Sequence, residues 1–100
     1  MVVLENKNGL IMSIRKNESW CVYTLKCADG TFYTGITNDL KKRIEAHENG
    51  KGAKYTRGRG PFELHYKEPH ETRSDATKRE IEIKRLSRQE KIDLVASFIN

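Results

Sequence analysis

The stretch VYTLKCADGTFYTG, residues 22–35, decides the fold because it predicts a β-hairpin that carries two tyrosines. β-branched and aromatic residues occupy both ends, and the turn-forming pair Asp29-Gly30 lies between them. A two-residue loop at that pair joins residues whose numbers sum to 59, which points Tyr23 and Tyr33 to opposite faces. A loop one residue longer, with Gly30 in the left-handed conformation, joins residues whose numbers sum to 58 and places both tyrosines on one face. The sequence permits either loop, and only the longer one lets the two phenols share a site.

The size and polarity of the chain predict a single domain with a small core. It has 100 residues, of which 36% are hydrophobic and 33% charged. At this size a folded chain buries roughly 65% of the surface that it exposes when unfolded. Apolar positions are therefore few, and a polar residue at one of them is informative.

The two cysteines and the lack of long apolar segments predict a cytoplasmic protein. Cys21 and Cys27 fall on one predicted strand, where six residues of extended chain hold them roughly 20 Å apart. A disulfide requires α-carbons within about 7 Å, so an internal bridge is excluded, and free thiols are typical of a reducing compartment. The amino terminus does not read as a signal peptide, and no segment is long enough to span a membrane.

The beginning of the chain and the segment after the hairpin differ in their periodicity. Residues 1–17 show no sustained period and are expected to form a flexible leader, so that the ordered domain spans residues 18–98. A helix is predicted after the hairpin, with Asn38 as its N-cap and Gly50 at its end.

A strand and two helices are predicted to follow. PFELHYK, residues 61–67, alternates apolar and polar side chains as a half-buried strand does, with Phe62, Leu64 and Tyr66 on the inner face. Ser74 is predicted to cap the next helix, and Ser87 forms a capping box with Glu90 for the last one. The element order is strand, strand, helix, strand, helix, helix.

Three charged or titratable side chains lie on helix stripes that are expected to face the sheet. Arg43 and His47 share a stripe with Leu40 and Ile44. Arg43 has a second interpretation, in which its alkyl stem covers the core while its guanidinium stays in water. His47 also has one, in which the helix dipole favours a histidine near the end of the helix.

Glu80 lies midway between Ala76 and Ile83 on the inner stripe of its helix. A pair with Lys84 would explain the residue only in part, because such a pair forms equally well on an outer face. A carboxylate at an inward position requires a cation or a buried hydrogen bond.

The positive charge of the chain is concentrated in one loop. The net charge of +5 and the pI near 9.3 favour an acidic partner such as nucleic acid, although many basic surfaces are merely solvated. Residues 50–61, GKGAKYTRGRGP, contain no acid, and such a loop can follow a nucleic-acid backbone while its aromatic ring stacks on a base. The candidate contacts are Lys51, Lys54, Tyr55, Arg57 and Arg59.

Taken together, these residue types match the requirements of phosphodiester hydrolysis. The reaction needs an activated water, neutralisation of charge at the phosphate and, in most enzymes, a metal ion as Lewis acid. Arginine binds phosphate through two parallel hydrogen bonds, and one carboxylate with several retained waters commonly holds Mg²⁺. A tyrosine beside a cation is a candidate general base, because the cation lowers its pKa.

The same residues, in this order, resemble the GIY-YIG nuclease superfamily. VYT, residues 22–24, corresponds to the first motif, and YTG, residues 33–35, with Gly35 as its structural glycine, corresponds to the second. The resemblance extends over about residues 19–96 and is closest to the small bacterial members that consist of the nuclease module alone. Two positions depart from the family pattern: Cys21 replaces the leading glycine of the first motif, and Thr34 replaces the isoleucine of the second.

The resemblance implies a fold, a reaction and a set of site residues. The implied fold is α+β, an α/β sandwich-like arrangement of a three-stranded, mainly antiparallel sheet flanked by helices. The implied reaction is hydrolysis of DNA, branched or single-stranded, with little sequence specificity and a use in DNA repair or recombination. One Mg²⁺ or Mn²⁺ ion and no small-molecule cofactor are expected, and no protein partner is identified. The implied catalytic residues are Tyr23, Tyr33, Arg43, His47 and Glu80, the last of which also holds the metal. The resemblance leaves open which tyrosine is the base, and Tyr23 is favoured here, with Tyr33 orienting it.

Two other functions remain open from the sequence. A nucleic-acid-binding module with little chemistry would keep the basic loop and bind in a salt-dependent way. A protein-interaction adaptor would bind no polyanion even at low salt.

Overall fold

The computed structural model describes residues 2–5, 11–14 and 20–99, and the side chains of residues 20–97. Five strands, three α-helices and one short 3₁₀ turn at Lys54–Thr56 are described. Their bounds are β1 Val2–Glu5, β2 Ile11–Ile14, β3 Trp20–Lys26, β4 Phe32–Thr37, α1 Leu40–Glu48, β5 Glu63–His70, α2 Arg73–Lys84 and α3 Arg88–Ile99. From β3 onward the order is the predicted strand, strand, helix, strand, helix, helix.

The predicted α+β architecture is confirmed. Strands β4, β3 and β5 form a three-stranded sheet in that order, with both pairs antiparallel. Strands β1 and β2 form a separate antiparallel pair, which the sequence analysis did not predict inside its leader. The rest of that leader, residues 1, 6–10 and 15–17, lies outside the described residues, and the boundary between leader and domain stays a prediction.

The β3–β4 hairpin adopts the longer of the two loops that the sequence permits. Tyr23 pairs with Gly35 and Leu25 with Tyr33, so the numbers of paired residues sum to 58. Gly30 has a φ of 84°, the left-handed conformation that this loop requires. Asp29 stabilises the loop by accepting hydrogen bonds from the backbone N–H and the hydroxyl of Thr31, at 3.1 and 2.6 Å. Tyr23 and Tyr33 therefore lie on the same face of the sheet.

Two of the three predicted helix caps are wrong by one or two residues. Helix α1 is capped by Asp39, which accepts from the backbone N–H of Lys42, and the predicted cap Asn38 lies one residue before it. Helix α2 is capped by Thr72 where the sequence analysis expected Ser74. In both cases two adjacent or nearly adjacent residues are good caps, and sequence alone does not choose between them.

The predicted capping box of α3 is confirmed. The Ser87 hydroxyl accepts from the backbone N–H of Glu90 at 3.2 Å, and the Glu90 carboxylate accepts from the backbone N–H of Ser87 at 2.9 Å.

A β-bulge changes the predicted inner face of β5. Thr24 pairs with Tyr66, yet the next residue, Leu25, pairs with Leu64, so β5 contains one extra residue at this point. Leu64 and Tyr66 therefore lie on opposite faces although they are two positions apart. Tyr66 is buried as predicted, and Leu64 is 38% exposed, which corrects the prediction that both face the core.

The sheet lies between α1 on one face and α2 with α3 on the other. Val22 and Tyr66 pack against Ala76 and Ile83 of α2 and Val95 of α3. The opposite face carries Tyr23, which alternates with Val22 along β3 and contacts α1. In the part of the chain that the structure describes, no helix combines the length and the apolar character that crossing a membrane requires.

Candidate active site

The two tyrosines of the hairpin lie side by side, with their ring centroids 6.3 Å apart. Tyr23 is fully buried, whereas Tyr33 is half-buried. Gly35 lies directly opposite Tyr23, and a Cβ at this position would be 2.7 Å from the Tyr23 hydroxyl oxygen. The second motif therefore needs a glycine here, because any larger residue would displace the Tyr23 hydroxyl.

A chain of hydrogen bonds runs from Tyr23 through His47 to Thr56, and its direction can be assigned. Thr56 donates its only hydroxyl proton to the carbonyl oxygen of Ala53 at 2.9 Å. The Thr56 oxygen must then accept from Nδ1–H of His47 at 2.8 Å. Nε2 of His47 is left with a lone pair and accepts from the Tyr23 hydroxyl at 2.8 Å. The phenol proton of Tyr23 thus points at a neutral imidazole.

Arg43 contacts the other side of the Tyr23 oxygen. Its Nε–H donates to that oxygen at 3.3 Å, which raises the pKa of Arg43, and Tyr33 raises it further through charge and a hydrogen bond. The guanidinium is therefore placed between the two hydroxyls, with α1 supplying both Arg43 and His47 from one stripe, as the sequence predicts.

Burial shifts two pKa values in this cluster in opposite directions. Desolvation is the largest cause of the lowering of the His47 pKa from 6.5 to about 4, and the charge of Arg43 adds to it. Desolvation also raises the pKa of Tyr23 from 10 to about 12, against the opposing hydrogen bond from Arg43. At neutral pH the phenol therefore keeps its proton and the imidazole is uncharged.

Two residues of this site were missed by the sequence analysis. Thr56 fixes the tautomer of His47, and it lies in the loop in which the sequence singles out the basic residues and Tyr55. Gly52 packs against the imidazole ring, because a Cβ at residue 52 would overlap Nδ1 of His47. No local sequence signal identifies either residue, since both act through a histidine from a different element.

Glu80 of α2 is linked to the tyrosines through Lys84. Its side chain is 20% exposed, and one carboxylate oxygen lies 3.5 Å from Nζ of Lys84. The same Nζ lies 5.8 Å from the centroid of the Tyr33 ring. The structure thus brings Tyr23, Tyr33, Arg43 and His47 into one contact cluster, whereas Glu80 takes no part in the hydrogen bonds of that cluster among the described residues.

The donor chemistry at Glu80 fits a hard divalent cation. Within residues 20–97 no group of three or more histidine, cysteine, aspartate or glutamate side chains could hold a metal ion. A single carboxylate with retained waters is nevertheless a common way to bind Mg²⁺. Lys84 competes for this carboxylate, but its side chain is 51% exposed and free to move into solvent.

In the predicted nucleic-acid-binding loop, some basic side chains are exposed to solvent and one contacts the rest of the protein. Lys51, Lys54 and Arg57 are exposed. Arg59 donates to Asp29 of the hairpin turn at 2.6 Å, and its guanidinium lies 4.3 Å from the centroid of Tyr55.

Tyr55 connects this loop to the cluster of Tyr23, Tyr33, Arg43 and His47. Its ring stacks on that of Tyr33, with centroids 6.0 Å apart and planes inclined by 23°, and the residue is 44% exposed. A cavity of about 350 Å³ opens beside these two rings. It is lined by Phe32, Tyr33, Thr34, Tyr55, Lys84 and Lys91, so Tyr33 is the predicted catalytic residue that borders it.

Comparison with known proteins identifies the family of the chain. The sequence model of the GIY-YIG catalytic domain family matches residues 19–93 of this chain. The chain is 57% identical over 76 residues to the UPF0213 protein CPE1444 of Clostridium perfringens, covering 76% of this chain and 82% of that protein. It is 52% identical over 75 residues to the UPF0213 protein SSP2268 of Staphylococcus saprophyticus, covering 75% of this chain and 92% of that one.

Two solution structures resemble the chain in fold. The UPF0213 protein BH0048 of Bacillus halodurans shares 49% identity with a TM-score of 0.51, covering 77% of this chain and 82% of its own. The protein EF2693 of E. faecalis shares 41% identity with a TM-score of 0.55, covering 78% and 83%. GIY-YIG domains are nuclease domains that act on nucleic acid and generally use a divalent metal ion. The chain belongs to the GIY-YIG family, and the relatives that it resembles are the small UPF0213 proteins.

Proposed function

We propose that this protein hydrolyses DNA phosphodiester bonds with the help of one Mg²⁺ or Mn²⁺ ion at Glu80. The observation that carries the proposal is the directed chain from Tyr23 through His47 to Thr56, with Arg43 on the Tyr23 oxygen. A phenol, a neutral imidazole and a guanidinium thus lie in contact, which supports their roles as proton donor, proton acceptor and phosphate-binding cation. These are the groups that an attack of water on phosphorus requires.

Tyr23 is proposed to take the proton of the attacking water while its own proton passes to Nε2 of His47. The water oxygen then bonds to phosphorus, the bond to the sugar oxygen breaks, and that oxygen is protonated by solvent. In the free protein, full transfer from Tyr23 to His47 is unfavourable, because a pKa near 12 faces one near 4. The relay is therefore inert until substrate binding changes the surroundings of Tyr23.

Arg43 and Tyr33 are proposed to make that change. The hydrogen bond from Arg43 partly offsets the rise that burial causes in the pKa of Tyr23. The remaining guanidinium N–H groups of Arg43 suit two oxygens of a phosphate. Tyr23 is fully buried, so a water reaches its oxygen only when a neighbouring side chain moves aside. A metal ion at Glu80, when bound, would polarise the phosphate oxygens and neutralise developing charge.

The proposed substrates are branched or single-stranded DNA, cut with little sequence preference during repair or recombination. The net charge of +5 and the exposed Lys51, Lys54 and Arg57 support contacts to phosphates, which position a nucleic acid without reading its sequence. Cys21 and Cys27 are both free thiols, which supports a cytoplasmic setting for this reaction.

The test is a metal-dependent cleavage assay on forked, flapped, nicked and single-stranded DNA. Glu80→Gln should abolish cutting, because it removes the charge that binds the metal while keeping the shape of the side chain. Glu82→Gln, on the same helix and 66% exposed, is the matched control and should cut like the unmodified protein. Circular dichroism checks that both variants fold. Equal cutting by the Glu80 variant would assign the activity to a contaminant and overturn the proposal.

The ion pair between Glu80 and Lys84 favours a second candidate, a nucleic-acid-binding module without hydrolysis. In that function Lys84 would neutralise the carboxylate permanently, and no metal would bind. Salt-dependent DNA binding by the unmodified protein, without cutting at any Mg²⁺ or Mn²⁺ concentration, would support this candidate over the nuclease.

A further inference from the structure

Two neighbouring cavities form a continuous trough beside Tyr33. The cavity of about 350 Å³ described above shares Phe32, Tyr55 and Lys91 with a second one of about 230 Å³. The second cavity is also lined by Thr31 and Arg88. Because three residues border both, the two form one depression, called the trough below, which runs from Tyr33 towards the start of α3.

Three cations from α2 and α3 line the trough, and none of them belongs to the basic loop. Lys84 is the last residue of α2, Arg88 the first of α3, and Lys91 follows one turn later on the same side of α3. Lys84 pairs with Glu80, whereas neither Arg88 nor Lys91 forms an ion pair with any residue in the described part of the chain. Two uncompensated positive charges therefore face this trough.

Aromatic rings lie beside these cations in the trough. The Arg88 guanidinium lies 5.8 Å from the centroid of Phe32, and Nζ of Lys84 lies at the same distance from that of Tyr33. Tyr55 is 44% exposed and borders both cavities. Cations that follow a backbone, combined with aromatic faces on which bases stack, are the common design of single-strand binding surfaces.

The chemistry favours an unpaired strand over a duplex. In a duplex the bases are stacked on one another inside the helix, so their faces are unavailable to Phe32 and Tyr55, and only the phosphates could reach the trough. An unpaired strand can use both the cations and the rings. The trough begins at Tyr33, so a strand that lies in it leads directly to the catalytic cluster.

We propose that the trough binds an unpaired strand of nucleic acid next to the phosphate to be cut. Lys84, Arg88 and Lys91 contact its phosphates, and Phe32 and Tyr55 stack against its bases. This inference rests on the proposed function, because it names the form of substrate that the same site takes. Its binding test is carried out without metal, so that it does not depend on cutting.

The test measures binding of a fluorescein-labelled 15-nucleotide strand, and of its duplex, by anisotropy in EDTA over a range of salt concentrations. The double variant Arg88→Gln/Lys91→Gln removes two cations of the trough. For the single strand, the slope of log affinity against log salt should become less steep by about 1.4, because each of the two lost phosphate contacts contributes roughly 0.7. The matched control, Lys41→Gln/Lys42→Gln, removes two exposed cations of α1 and should leave the slope unchanged.

A second variant tests the rings without changing the charge. Tyr55→Leu should weaken single-strand binding about tenfold, as expected for the loss of one stacked base, and leave duplex binding nearly unchanged. Equal changes of slope in both double variants would show diffuse attraction and overturn the proposal, as would equal losses of strand and duplex with Tyr55→Leu. A protein that binds as expected but never cuts would contradict the nuclease proposal alone.

Discussion

The burial of His47 predicts an acid sensitivity that one substitution should remove. The pKa of His47 is lowered to about 4 in the folded chain, against 6.5 for an exposed histidine, because burial and Arg43 disfavour its charge. Between these values the unfolded chain binds more protons than the folded one, so this contribution to stability is complete above pH 6.5 and is lost as the pH falls towards 4. From pH 7 to pH 4 the loss amounts to about 3 kcal/mol, and from pH 7 to pH 5 to about 2 kcal/mol.

The assay is urea unfolding of the unmodified protein and of His47→Gln at pH 7, 5 and 4. Glutamine cannot be protonated, so the variant lacks this loss. Between pH 7 and pH 4 the free energy of unfolding of the variant should fall by about 3 kcal/mol less than that of the unmodified protein. His65→Gln is the control, because that histidine lies beside Glu63 near the surface and should keep the full acid loss. Parallel pH dependence in the unmodified protein and the His47 variant would refute the claim that this imidazole is held neutral by burial.

Three further predictions concern the relay and the core. The rate of DNA cutting should stay nearly constant from pH 6 to pH 9 and fall below pH 5, because the relay needs a neutral His47 and the pKa of His47 is about 4. A rate that rises tenfold per pH unit would show that ionised Tyr23 acts without passing its proton to His47. Gly52→Ala should displace His47 and reduce cutting as strongly as His47→Gln does. The affinity of this variant for single-stranded DNA in EDTA should stay the same. Unchanged cutting would show that His47 does not act on Tyr23. Leu25→Ala, at a fully buried position, should lower the free energy of unfolding in urea by about 2–5 kcal/mol, and a loss below 1 kcal/mol would contradict its place in the core.

The hairpin register shows how far local sequence can predict this site. Composition predicted both strands, and Asp29-Gly30 predicted the turn, but two loops remained possible. The structure chooses the longer one because Asp29 binds Thr31 twice and the backbone N–H of Cys27 donates to the carbonyl of Thr31 at 2.8 Å. These contacts exist only once the loop has formed, so sequence periodicity could state the consequence of each register without deciding between them.

The two faces of β5 were not predictable from alternation. The period of two in residues 61–67 is clear, yet the bulge opposite Thr24 and Leu25 reverses the face of Leu64. A bulge depends on how two strands fit together, and neither strand contains a glycine or proline at this point that would mark it. For the same reason Thr56 and Gly52 were missed, since their roles depend on where His47 comes to lie.

The helix stripes were a better guide, because their period is fixed within one element. The stripe that contains Arg43 and His47 predicted that both face the sheet, and both contact Tyr23. Glu80 shows the limit of this reasoning. Its stripe predicted a partly inward carboxylate, but the pattern could not tell which neighbour the carboxylate meets across the edge of the sheet.

Lys84 is the residue at which the proposed catalytic and binding surfaces meet. It pairs with Glu80 at 3.5 Å, lies over Tyr33 and lines the trough. With half of its side chain exposed, this ion pair stabilises the fold by about 1 kcal/mol at most, so a phosphate can displace it at little cost. A strand that draws Lys84 onto its phosphates leaves the Glu80 carboxylate without a counter-charge, which favours a divalent cation there. Because such coupling is reciprocal, a cation that releases Lys84 must in turn strengthen binding of the strand. The ion pair of the free protein is thus compatible with a metal-binding role for Glu80.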